Sequence, residues 1–99
     1  MAKDFDYQQL DDIIHSRIRL AIMSLLVGVE DAEFTFLKEK VNATDGNLSV
    51  HLRKLEEAEY VSVKKEFAGR KPVSTYKITK MGINAFEKYI EHLENMLKK

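Results

Sequence analysis

The sequence predicts a mainly α chain with one small β-hairpin, in the order helix, small strand, helix, helix, hairpin, helix. Three observations carry this expectation. Leu48, Leu52 and Leu55 recur at the spacing of one helical face, just after a shorter helical run that ends at Asn42. "YVSVKKEF" and "VSTYKIT" alternate apolar and polar residues on either side of "AGRKP", whose Gly69 and Pro72 suit a hairpin tip. Ile83, Phe86, Ile90, Leu93 and Leu97 then follow a three-four-three-four rhythm, a coiled-coil-like seam.

The bulk properties fit that outline. A chain of 99 residues makes one domain, here taken as 1–99, in which every helix must contribute to the core. Net charge is +0, yet it is unevenly spread. Acids outnumber bases by about three up to Asn42, and bases outnumber acids by about three from Ala43 to Lys80. A neutral chain can therefore still present one basic face. With no cysteine, disulfides, thiolate metal sites and a cysteine nucleophile are excluded. The polar start "MAKDFDYQQLDD" is unlike a signal peptide, and "LAIMSLLVGV" is too short to span a bilayer, so a cytoplasmic protein with no membrane partner is expected.

Taken in order, Asp6 is placed to cap a first helix, with Leu10, Ile14, Ile18, Ile22, Leu25 and Val29 on one face. Ser16 offers a second cap and a break near His15, and Gly28 ends the helix. "FTF" reads as a very short strand, with Phe34 and Phe36 alternating around Thr35. "FLKEKV" is the next helix, Asn42 suits its left-handed stop, and Thr44 caps the helix after it. Two helices joined by so short a turn form a helix-turn-helix. In the hairpin, Val61, Val63 and Phe67 share one face, as do Tyr76 and Ile78; Thr79 caps the last helix.

With these residues in this order, the chain resembles the winged helix-turn-helix transcriptional regulators, nearest the MarR/ArsR-like group. The resemblance runs from "HSRIRLAIMSLL" to "ITKMGINAFEKYI" and is most specific in "FLKEKVNATDGNLSVHLRKLEEAEYV" followed by "GRKPVSTYKIT". The group's usual "T-x-G-x-L-S-x-H-L-x-K-L-E" is matched from Thr44 to Glu56. It implies a dimeric DNA-binding regulator with a three-helix core, a β-wing and a long C-terminal helix. The recognition helix, about 45–58, would lie in the major groove and the wing, about 67–73, at the minor groove or backbone. Glu59 departs from the glycine usual at that position; if the residue is left-handed there, a side chain costs about 1–2 kcal/mol.

On a helical wheel the three leucines define the buried side, and Gly46, Val50, Arg53 and Glu57 lie roughly opposite. Glycine at the mouth of a recognition helix lets the backbone approach a phosphate. An outward Val50 can touch a thymine methyl, and Asn47 can pair with an adenine edge. Thr44, Ser49, Arg53 and Lys54 are placed for phosphates, which position and do not specify. Glu57 would repel phosphate and confine contact to the first two turns. On the wing, Arg70 is expected at the minor groove, with Lys65 and Lys71 on backbone. Each feature also has a bland reading, because single exposed valines and edge lysines are common. His51, at the boundary of the buried side, suits packing or backbone contact.

An enzyme reading finds little. Ser49 and His51 diverge by about 200° on the helix, and adjacent acids such as Asp11 and Asp12 by about 100°. Neither a phosphate-binding glycine loop nor a cofactor motif occurs. Asp11 and His15 share a helical side, but such an exposed pair suits a helix contact better than a metal site. Phe86, Ile90, Leu93 and Leu97 are the candidates for a homodimer interface. Any small-molecule effector would sit between the first and last helices, though no residue names it. The rival is a winged-helix module that binds protein and not DNA. Its mark would be carboxylates tying up Arg53, Lys54, Lys65 and Arg70.

Overall fold

The structure, a computed structural model, describes residues 6–98; the two ends of the expected 1–99 domain lie outside them. Its elements are a 3₁₀ turn at Tyr7–Gln9, α1 Arg17–Val27, β1 Ala32–Glu33, α2 Phe34–Val41, α3 Asp45–Glu57, β2 Val61–Ala68, β3 Lys71–Ile78 and α4 Lys80–Leu97. The strands form an antiparallel sheet in the order β1-β3-β2.

The start is broken before Arg17, at the cap Ser16 offered, and the part before the break is not the α-helix expected from Asp6 onward. Asp6 caps only the 3₁₀ turn, accepting from the Gln8 amide. Asp11 then diverts the chain: its Oδ1 accepts from the amides of Ile13 (2.7 Å) and Ile14 (3.2 Å), bonds that compete with helical ones. Ser16 caps α1 through the Arg19 amide. Ile14 is nevertheless buried, so one apolar rhythm spans two backbone conformations. Val29, expected inward, is exposed beyond the Gly28 cap.

"FTF" is not a strand. Ala32 and Glu33 make the pairing with Tyr76 and Thr75, and α2 starts immediately at Phe34. Three alternating residues fit a helical first turn equally well, and the burial of Leu37 decides the matter. Asn42 adopts φ 53, and the amide of Ala43 returns to the Lys38 carbonyl, closing α2. Thr44 Oγ1 accepts from the Asn47 amide at 3.2 Å and opens α3. The other end of α3 closes in the same manner, with Glu59 at φ 65 and the Tyr60 amide on the Leu55 carbonyl.

The core gathers Ile14, Ile22, Met23, Leu26, Leu37, the three α3 leucines, Val61, Tyr76, Ile78 and Tyr89. Burial fades along the hairpin, and Phe67, expected on the inward face with Val61 and Val63, is 75% exposed. Alternation identified its face; among the described residues nothing covers it. Thr79 caps α4 through the Gly82 amide at 2.9 Å. Within α4 the most buried positions are Gly82 and Tyr89, whereas Phe86, Ile90 and Leu93 pack half-buried against the core and Leu97 is 75% exposed. Gly82 is required by contact: a Cβ there would lie 2.1 Å from the Tyr60 carbonyl oxygen.

Candidate nucleic-acid interface

The helix α3 is fixed from within. Leu48, Leu52 and Leu55 are buried, so Gly46, Asn47, Ser49, Val50, Arg53 and Lys54 are all presented outward. Val50 is 51% exposed, and a Cβ built on Gly46 would have nothing within 4 Å. Asp45 shares this first turn, where the helix dipole favours a carboxylate, and pairs with Lys38 at 2.8 Å. Thr44 is exposed; its oxygen accepts in the cap, which leaves the hydroxyl hydrogen free to donate outward.

The wing supplies the second part of the surface. Lys65, Arg70 and Lys71 are exposed, with Gly69 at φ 68 making the two-residue turn beside Arg70. Lys64 is engaged with Glu66 at 3.3 Å. Among the described residues no carboxylate pairs with Arg53, Lys54, Lys65, Arg70 or Lys71, so their charge faces solvent.

Behind α3 lies a polar network that the sequence did not disclose. Arg19 on α1 donates through Nε to the Ile13 carbonyl and through Nη1 to His51 Nδ1, at 2.8 Å. Burial, then the charges of Arg19 and Lys54, lower the His51 pKa from its usual value, so the neutral ring accepts from the guanidinium. Tyr60 donates to Asp11 Oδ2; burial and this carboxylate push the phenol up to about 12. His15 Nδ1 sits 2.8 Å from the Tyr89 hydroxyl. Asp11 and His15, weighed as metal ligands, are thus engaged with tyrosines, and no group of three or more donors converges among the described residues.

Two depressions flank α4. A hollow of about 630 Å³ lies between the 3₁₀ turn and α4, lined by Gln9, Asp11, Tyr60, Asn84, Lys88 and His92 among others. A groove of about 340 Å³ is lined by Val27, Ile83, Phe86 and Ile90, with Glu87, Glu91 and Glu94 beside them.

An outward-facing helix held by three leucines thus stands beside a basic hairpin. Residues 18–97 match the sequence profile of the winged helix DNA-binding domain family. The chain belongs to this family. A relative in Methanocaldococcus jannaschii, an uncharacterized protein, is 44% identical over 86 residues, covering 87% of this chain and 94% of its own. The structure of a transcriptional regulator homologue from Pyrococcus horikoshii OT3 superposes with a TM-score of 0.81 at 26% identity, over 97% of this chain and 91% of that one. A MarR-like protein of Bacillus cereus ATCC 10987 shares the fold, with a TM-score of 0.69 at 17% identity over 92% and 68% of the two chains. The match places the chain in a winged-helix family of transcription regulators, not of enzymes. In winged-helix terms α3 is the recognition helix and β2–β3 the wing. No helix among the described residues is long and apolar enough to cross a membrane.

Proposed function

We propose that this winged-helix regulator binds duplex DNA sequence-specifically as a homodimer. The observation that carries the reading is the outward face of α3, unobstructed at Gly46 and backed by buried leucines. Asn47 and Val50 read base edges in the major groove; Thr44, Ser49, Arg53 and Lys54 hold phosphates. Arg70 enters the minor groove while Lys65 and Lys71 hold the backbone. The chain over 1–99 acts as one domain in the cytoplasm, and α4 supplies the dimer contact through Phe86, Ile90, Leu93 and Leu97. Two recognition helices then meet half-sites about 34 Å apart. An effector, where one acts, sits between the start of the chain and the last helix, in the hollow where the 3₁₀ turn stands in place of the expected first helical turns.

The protein-binding rival is disfavoured by the unpaired cations of α3 and the wing. The test is selection from random duplexes, followed by binding of the selected site across salt concentrations. Log affinity is expected to fall linearly with log salt, by about 0.9 per phosphate contacted. No enrichment of any sequence, or affinity indifferent to salt, sinks the reading.

A further inference from the structure

The wing carries an apolar element as well as charge. Directly opposed residues of an antiparallel pair share a face, so one side of the hairpin reads Val61 with Ile78, Val63 with Tyr76, Lys65 with Ser74 and Phe67 with Pro72. The first two rungs enter the core. The last is apolar on both strands, exposed on both, and next to the Gly69–Arg70 turn. A single exposed apolar residue needs no explanation. Here the exposed ring has an apolar residue as its cross-strand neighbour; unpaired Lys65 shares its face, unpaired Arg70 stands in the turn, and Lys71 lies on the other face with Glu66, whose charge Lys64 offsets. An apolar rung between two free cations suits a polyanion whose grooves have apolar walls.

Resting on the duplex-binding reading above, we propose that the Phe67–Pro72 rung is a nucleic-acid contact. It lies against sugar and base edges of the groove that Arg70 enters and acts as a wedge there. Phenylalanine and proline are among the side chains that partly unstack base steps from the minor-groove side. Such a contact adds affinity without releasing counterions, so it is separable from the lysine and arginine contribution. It also makes flexible pyrimidine–purine steps the preferred sequence under the wing, because these unstack most easily.

The test uses the full chain and a duplex enriched from a random pool by the wild-type protein. Phe67→Ala is expected to weaken binding about tenfold at every salt concentration and leave the salt slope unchanged. Arg70→Ala is expected to lower that slope by about one. The chain has no tryptophan, so Phe67→Trp places a sole indole on the wing. Its quenching by acrylamide is expected to fall sharply when the duplex is added. Phe67→Ala binding as tightly as wild type, or an indole equally open with and without duplex, overturns the wedge while leaving the DNA-binding reading intact. A wild-type protein that enriches no duplex overturns both.

Discussion

Arg19 Nη1 stands 2.8 Å from His51 Nδ1, tying α1 to the buried edge of the recognition helix. The bond exists only while the imidazole is neutral. Since the folded-state pKa is lowered, the unfolded chain takes up this proton first as pH falls. The stability it confers is fully present above the unfolded value of 6.5 and is lost as pH falls from there through the lowered folded value. His51→Gln should flatten the dependence of Tm on pH over that window. Thermal melts above and below it check this; parallel curves for the variant and wild type would refute it.

Two glycines should respond oppositely to the same substitution. Gly82→Ala forces a methyl onto the Tyr60 carbonyl at 2.1 Å and should destabilise by about 2 kcal/mol or more. For a chain of this size the melting point should drop by about 10 °C. Gly46→Ala meets open space and should raise stability by up to about 1 kcal/mol. It should also weaken duplex binding, because the added methyl lies on the side offered to DNA. Paired melts and binding titrations separate the two.

Glu59 holds φ 65, the region that disfavours side chains. Glu59→Gly should relieve about 1–2 kcal/mol of that strain and return somewhat less through the freer unfolded chain. A net gain of about 0.5–1 kcal/mol in denaturant unfolding is expected; a loss would mean that the carboxylate contributes more than the backbone conformation costs.

The major-groove base readers and the wing arginine should fail differently. Arg70→Ala should weaken binding to selected and unrelated duplexes alike. Val50→Ala and Asn47→Ala should change which sequences a random pool yields, at about 1–3 kcal/mol per lost contact. Identical enrichment from all three variants would remove the division of roles.

Leu97 is 75% exposed in the isolated chain, so its replacement leaves the core untouched. Leu97→Glu should shift sedimentation from dimer toward monomer and lower duplex affinity while the melting curve of the monomer stays intact. A variant that sediments as wild type would remove Leu97 from the interface.

The helix-turn-helix was legible in the sequence because its determinants are local. Asn42, Thr44 and the leucine spacing settle that turn within a few positions, and all three are seen in place. The opening segment was not, since Asp11 answers both to amides two and three residues on and to Tyr60, 49 positions away. Nor could periodicity show that Tyr89, and not the seam beside it, is the best-buried side chain of α4. That depends on where the 3₁₀ turn packs. For Phe67 the pattern gave the face of the strand but not the point at which the body of the protein ends. The outward residues of α3 followed directly once the inward ones were known.

The Tyr60 carbonyl accepts the Thr79 amide at 3.0 Å and touches Gly82, while Glu59 accepts the Thr79 hydroxyl at 2.6 Å. Helix α4 is thereby bolted to the root of the wing. Eight-residue strands make an arm of about 26 Å, so a swing of roughly 10° at that root carries the tip about 4–5 Å. In a pair joined through α4, the splay of the two long helices would set the gauge between the tips. The molecule would work as a caliper whose jaws are its hairpins.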